Sequence, residues 1–377
     1  LNPPLTAVEI LRELVAIPTP STVSNLPLLR WVAAMLEPRG WRVEWMPYTD
    51  EANIEKANLI ARPTSFGLAN SIGLAFICHT DTVPYAQNWS SALALEQREQ
   101  SLHGCGACDV KGALACFLAA VSQLAPSQLS PGVALILTAD EEIGCRGMDR
   151  LLAETNLRIQ SAIVSEPTSL RLGIAGKGYG LARITVEGRE AHSAFPQQGV
   201  SAISAAARLI VQIEEQTVAA FSISDPLFDP PHTTLNIGVI QGGTAKNIIP
   251  GQCTFLVEWR AIPSEAPASV LEKLRNIIEQ AQAAEPRASF QLEALRADSG
   301  FSPASTGPLQ LRLSALLSGA PMGISFGSEA SRVARVADEI VVIGPGDMRT
   351  AHSDRECVPI AELELWTNVL ADLIKTQ

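Results

Sequence analysis

Two histidines and four carboxylates stand just beyond short apolar runs: His79 and Asp81 after Leu74-Ala75-Phe76-Ile77, Glu141 and Glu142 after Val133 to Leu137, Glu166 after Ala162-Ile163-Val164, and His352 after Ile340 to Ile343. Imidazole nitrogens mixed with carboxylate oxygens suit a borderline divalent ion such as zinc. Three or four such ligands per ion, with one carboxylate shared, make a two-metal hydrolase. Short apolar runs bounded by Gly, Pro and polar residues read as parallel strands buried on both faces, and an open α/β sheet gathers ligands beyond the carboxyl ends of its strands. Groups far apart in the chain are therefore expected to converge.

Each piece alone has a plainer reading. His79-Thr80-Asp81 places an imidazole two residues from a carboxylate that could hold the ring, as many structural histidines are held. Asp109 follows the glycines of the Gly104 to Gly112 stretch and could simply cap the next helix. Glu141-Glu142 puts two acids side by side after a buried strand, which is costly unless a cation or shared proton relieves them. The pair is equally readable as the acidic first turn of a helix. Pro167 keeps Glu166 extended, and Gly344-Pro345-Gly346 breaks the chain before His352.

The elements that must position these groups alternate. Helical spacing covers Ala7 to Ala16, Leu28 to Leu36 and Lys111 to Leu124, with strands at Trp41 to Met46, the run to Ile77, and Val133 to Leu137. This rhythm predicts an α/β catalytic domain with a mostly parallel sheet over 1–177. From about Gly178 the strands alternate in polarity, and the order strand, helix, strand, strand, helix, strand predicts an inserted ferredoxin-like βαββαβ domain over 178–296. The first pattern resumes over 297–377, with a helix from Pro308 to Leu317 and a closing one from Ile360 to Ile374.

Composition narrows the function. The chain has 377 residues, 47% hydrophobic and 18% charged, enough for a large core and more than one domain. With 28 Lys plus Arg against 39 Asp plus Glu and no basic run, nucleic acid is not an expected partner. No apolar stretch is long enough to span a bilayer, and the opening Leu1-Asn2-Pro3-Pro4 lacks the marks of a signal peptide, so no membrane partner and a cytoplasmic location are expected. Seven scattered cysteines do not form a disulfide framework, and Cys105-Gly106-Ala107-Cys108 lacks a second pair to make a zinc knuckle. His103 and His232 are expected to be structural.

Taken together, the motifs resemble the aminoacylase and acetylornithine deacetylase group of metallopeptidases, which also contains succinyl-diaminopimelate desuccinylase. The resemblance runs through His79 to Pro84, Gly104 to Gly112, Asp140-Glu141-Glu142-Ile143-Gly144, Ser165-Glu166-Pro167-Thr168, Glu190-Ala191-His192-Ser193, Asn247-Ile248-Ile249-Pro250 and Gly344 to His352. It implies two zinc ions, with cobalt or manganese as substitutes, bridged by Asp109. His79 and Glu166 would hold the first ion, Glu142 and His352 the second. Asp81 would orient His79, and Glu141 would shuttle a proton between the attacking water and the leaving amine. His192 would stabilise the oxyanion, and Asn247 and Arg260 would hold a substrate carboxylate. The inserted domain would serve as lid and homodimer interface. Family members often carry Gly at the place of Cys78 and Arg at that of Cys105, so thiols beneath the metals would be sensitive to oxidation.

Phe326-Gly327-Ser328-Glu329-Ala330 is similar to the matching stretch of acetylornithine deacetylases, which makes Gly327 and Ser328 substrate-binding candidates. Glu329 would face a cationic side chain or merely start a helix. The expected partner is a small N-acyl amino acid, and the expected reaction is deacetylation of N-acetylornithine, a step of arginine biosynthesis, or of a close N-acetyl amino acid. Desuccinylation, dipeptidase or carboxypeptidase activity, and a metal-binding but non-catalytic homologue are the alternatives.

Overall fold

A computed structural model describes residues 4–65, 71–302 and 305–375; the opening Leu1, Asn2 and Pro3 lie outside them. The chain divides into two compact units: Leu1–Ile174 with Pro303–Met322 and Ser328–Gln377, and Ala175–Ser302 with Gly323–Gly327. The sequence reading drew the second unit as 178–296. The segment Gly323–Gly327 joins it because Gly323 N donates to Leu227 O at 2.8 Å, Lys177 N to Ile324 O at 3.0 Å and Ser325 Oγ to Asp229 O at 2.8 Å.

In the first unit the strands Trp41–Thr49, Glu55–Pro63, Val133–Thr138, Ser71–His79, Arg158–Val164 and Ala337–Val342 lie side by side in that order. The last four run parallel, and the register sets His79 opposite Thr138, Ile77 opposite Val164 and Val342 opposite Val164. Their carboxyl ends are therefore level, and the segments that follow them start from one rim. The strand Glu55–Pro63 was not anticipated from sequence. It interleaves the polar Lys56, Asn58 and Arg62 with apolar residues, and all three are buried. Asn58, for example, donates to Gly147 O at 2.8 Å and accepts from Ala139 N at 3.2 Å, which meets the cost of burying an amide.

Helix Lys111–Ser122 is buried on every side from Lys111 to Val121, as expected of a helix apolar all round. Its alanines allow close packing against Ala7–Ala16 and Ile360–Ile374. Helix Ala7–Ala16 begins in a reciprocal cap: Thr6 Oγ1 accepts from Glu9 N at 3.2 Å while Glu9 Oε2 accepts from Thr6 N at 2.8 Å. Phe117 stacks on Phe76 with centroids 4.8 Å apart and meets Trp41 edge-on at 5.9 Å.

The second unit has the predicted βαββαβ order. Tyr179–Glu187, Ala202–Ala220, Thr234–Gly242, Gln252–Arg260, Pro267–Ala284 and Ser289–Asp298 follow one another. The four strands stand as Thr234–Gly242, Gln252–Arg260, Tyr179–Glu187, Ser289–Asp298, all neighbours antiparallel, which is the ferredoxin-like arrangement. Ile184, Val186, Phe255, Val257 and Trp259 form its core with Leu209, Ile213, Val270, Leu274 and Ile277 from the helices. Trp259 lies on Gly180, where a Cβ would come within 1.8 Å of its ring, so only glycine fits. Among the described residues no helix is long and apolar enough to cross a membrane.

Phe117 joins the covering helix to the sheet beneath the strand ends, so Phe117→Ala is expected to lower stability by about 3–5 kcal/mol. Urea unfolding followed by circular dichroism measures it, and a loss below about 1 kcal/mol would show that the site collapses without a cavity.

Candidate metal centre

The level strand ends bring His79, Asp109 and Glu166 together, and Asp109 also meets Glu142 and His352; within each triad the donor atoms lie within 4.8 Å of one another. Asp109 belongs to both. Its Oδ1 is 3.1 Å from His79 Nε2 and its Oδ2 is 3.1 Å from His352 Nε2, while His352 Nε2 also lies 3.3 Å from Glu142 Oε2. His79, Asp109 and Glu166 are buried, whereas the His352 side chain is half exposed. Gly344 passes so close to the main chain of Glu166 that a Cβ there would lie 2.8 Å from its carbonyl oxygen. His352 sits beyond this turn in a left-handed conformation, φ 59°.

Asp81 acts differently from the expectation. The ring Nδ1 of His79 lies 2.9 Å from the main-chain carbonyl of Asp81, and the carboxylate Oδ1 is 3.8 Å away, too far for a hydrogen bond. With Nδ1–H donating to that carbonyl, the Nε2 lone pair is left for a metal. The Asp81 carboxylate instead accepts from Glu141 N at 3.0 Å, Glu142 N at 3.2 Å and Ser21 Oγ at 2.7 Å. It fixes the turn that presents both glutamates.

Sequence reasoning missed three supports of this kind. Glu356 is buried, and its carboxylate accepts from Gly106 N at 3.0 Å, Cys108 N at 3.1 Å and Asp109 N at 3.2 Å, so it shapes the loop that delivers Asp109. Nothing in Arg355-Glu356-Cys357 signals this, because the partners are far away in the chain. Buried Lys56 pairs with Asp140 and donates to Ser21 O at 2.6 Å, and Tyr48 OH donates to Asp140 Oδ2 at 2.8 Å, anchoring the residue before Glu141. Glu329, read from sequence as a contact for a substrate side chain or a helix start, is buried; it accepts from Thr138 Oγ1 at 2.9 Å and begins the short helix Ala330–Val333. Ser328 is buried too, its Oγ accepting from Ala330 N at 3.3 Å.

The electrostatics call for cations. Burial pushes Glu141 up to about 8, with His79 opposing and Glu142, Glu329 and Asp81 adding to the shift. Glu166 is driven well above the carboxylate range by burial and then by Asp109 and Glu141. Burial would also raise Asp109, but hydrogen bonds to His352 and His79 hold it below the ordinary range, and contacts with Asp109 and Glu142 lift His352 to about 10. Oε1 of Glu142 is buried with no hydrogen-bond partner among the described residues. Crowded carboxylates, an orphaned oxygen and two imidazoles around one aspartate fit a pair of borderline divalent ions.

None of the seven cysteines is joined in a disulfide. Cys78 and Cys105, the thiols expected to be sensitive to oxidation, are both buried. Burial raises the Cys78 thiol and pushes Cys105 up to about 11, which suppresses the reactive thiolate.

The remaining predicted residues lie in the second unit. His192 pairs with Ile248 in a two-residue bridge, and Ser193 N donates to Asn247 O at 3.0 Å, so His192 and Asn247 are neighbours. His192 is exposed, its Nδ1 accepting from Ala194 N at 3.0 Å. Arg260 ends the strand Gln252–Arg260, its Nε donating to Glu258 Oε1 at 2.8 Å, and a Cβ on Gly327 would lie 3.3 Å from its Nη1. Gly327 and Arg260 thus adjoin.

Residues 174–286 match the family model described as a peptidase dimerisation domain. An acetylornithine deacetylase of Myxococcus xanthus is 41% identical over 362 residues, covering 96% of this chain and 94% of that protein. The chain belongs to the acetylornithine deacetylase family of M20 metal-dependent hydrolases. A second member, from Proteus mirabilis, is 29% identical over 98% of this chain and 96% of its own. The fold is shared with a tripeptidase from Staphylococcus aureus (TM-score 0.77, 20% identity, 98% and 96% of the two chains). A Bacillus subtilis protein described as a dinuclear metal binding peptidase from the M20 family also shares it (TM-score 0.71, 16% identity, 98% and 96%).

Glu356 orders the Asp109 loop through three main-chain hydrogen bonds. Glu356→Ala is expected to weaken divalent-ion binding by about 10- to 100-fold, with Glu356→Gln retaining more because its amide oxygen still accepts. Zinc titration of the metal-free protein, alongside circular dichroism to confirm folding, measures this; equal affinity in Glu356→Ala would remove the role.

Proposed function

We propose that this protein removes the acetyl group from N-acetylornithine, or from a close N-acetyl amino acid, in the cytoplasmic route to arginine. The full-length similarity to a protein named acetylornithine deacetylase carries the reading, supported by Glu141 standing beside two metal-capable triads. The five ligands would be His79, Glu166 and the shared Asp109 for one ion, Asp109, Glu142 and His352 for the other. Zinc is the assigned metal, with cobalt or manganese as substitutes. When bound, the ions supply Lewis acidity that polarises the amide carbonyl and lowers the pKa of water.

The chain's own residues do the rest. Glu141 has a backbone N–H held by Asp81 and, among the described residues, no Lys or Arg paired with its side chain, whose Oε1 accepts from Cys145 Sγ at 3.5 Å, so its carboxylate is assigned to accept the proton of the attacking water and return it to the leaving amine. His192 is assigned to the developing oxyanion, and Asn247 and Arg260 to the α-carboxylate of the substrate. An acidic protein needs such a local cation to recognise an anionic substrate.

We also assign a homodimer to the second unit. Its edge strand Thr234–Gly242 exposes Val239 and Ile240, and helix Ala202–Ala220 exposes Ile203 and Val211. An unpaired edge with apolar side chains is a template for a second copy. Val239→Lys with Val211→Glu is expected to give monomers in analytical ultracentrifugation; an unchanged mass would place the interface elsewhere.

The deciding experiment compares kcat/KM of the zinc- or cobalt-loaded protein for N-acetylornithine, N-acetylcitrulline, succinyl-diaminopimelate and a dipeptide. A preference of about a hundredfold or more for an acetylated amino acid is expected, and faster release of succinate or of an amino-acid pair would overturn the assignment. Glu141→Gln should retain both metals and lose at least about a thousandfold in kcat. A metal-loaded Glu141→Gln protein with full turnover would falsify the proton-shuttle role.

A further inference from the structure

One face of the second unit's sheet is covered by its two helices, and on the other lies a cluster around Arg260 whose further members, Tyr179 and Arg296, no assigned role uses. Strands Gln252–Arg260 and Ser289–Asp298 flank Tyr179–Glu187, and from these two sides Arg260 and Arg296 reach the ring of Tyr179. Their guanidinium carbons lie 4.4 Å and 4.6 Å from the ring centroid, both within cation–π range. Two cations on one ring would repel, but each is paired with a carboxylate two residues away on its own strand: Glu258 at Arg260 Nε, 2.8 Å, and Asp298 at Arg296 Nε. Among the described residues Nη1 and Nη2 of Arg260 have no hydrogen-bond partner. The side of the guanidinium that could form a bidentate pair with a carboxylate is left available, and Gly327 beside Nη1 adds no side chain to block it.

We propose that Tyr179, braced by Arg296, is a positioning residue that holds Arg260 ready for the α-carboxylate of the substrate, with Gly327 keeping the approach clear. The inference rests on the assignment of Arg260 to that carboxylate. A freely rotating arginine side chain must give up rotamer freedom to form such a pair. Stacking on Tyr179 and anchoring by Glu258 limit that freedom before substrate arrives, so the gain is in binding and not in the chemical step. The signature is therefore a change in KM with kcat preserved, confined to substrates that carry the carboxylate.

The test uses the metal-loaded protein with N-acetylornithine and its α-carboxamide. Tyr179→Leu is expected to raise KM for the carboxylate substrate about fivefold, leave kcat within about twofold, and leave KM for the carboxamide unchanged. Tyr179→Phe keeps the ring and should restore the parent KM, and Arg296→Met should give a smaller rise. Equal rises for both substrates, or a fall in kcat at constant KM, would overturn the positioning role. Arg260→Ala separates the two layers. If it leaves both KM values untouched, the carboxylate assignment itself fails. If it raises KM for the carboxylate alone while Tyr179→Leu is silent, only the role of Tyr179 is lost.

Discussion

The mutual repulsion of carboxylates held in one buried place is the constraint around which the first unit is organised. Burial raises the proton affinity of Asp81, Glu141 and Glu166. Asp109 escapes this only through its two histidines. Such a cluster persists when the scaffold fixes it independently of its own energetics, and when cations offset the charge. The surrounding structure supplies the first condition. The second sets the chemistry.

Fixation comes from main-chain hydrogen bonds more than from side-chain pairs. Asp81 binds the amides of Glu141 and Glu142, Glu356 binds those of Gly106, Cys108 and Asp109, and the Asp81 carbonyl holds the ring of His79. Carboxylates that would otherwise add to the repulsion thus serve as acceptors for loop amides, and those bonds in turn oppose the rise in their pKa. Beneath them, parallel strands with level ends and a wholly apolar helix provide a base that does not yield. Phe76 and Phe117 join the two layers directly under the metal-capable rim.

The second unit works on another principle. Its core is a conventional sheet with helices on one face, and its polar groups stand on strand ends and turns, exposed or half-exposed. Recognition of a small anion needs only one well-aimed cation in an acidic protein. Arg260, stacked on Tyr179 and tethered by Glu258, has the geometry for that task.

The residue types and their place after apolar runs were enough to mark His79, Glu142, Glu166 and His352 as candidates, because buried parallel strands leave a plain apolar signature and ligands gather at their ends; Asp109 follows no such run, and its place between them came from the family resemblance and from the folded chain. The βαββαβ order of the inserted segment was equally legible, since alternating polarity marks a half-covered sheet. Other features had no local signal. The strand Glu55–Pro63 was hidden by the buried polar residues Lys56, Asn58 and Arg62; the burial of Lys56 and Asn58 is tolerable because distant partners satisfy them. Ser328 and Glu329 turned inward, Gly323–Gly327 joined the other unit, and Asp81 used its carbonyl on His79 and its carboxylate on a neighbouring turn. Sequence determines what each segment can be, through periodicity and the chemistry of its side chains. Which polar atom meets which depends on register and loop path, so the tertiary structure alone decided which carboxylates converge and which accept from loop amides.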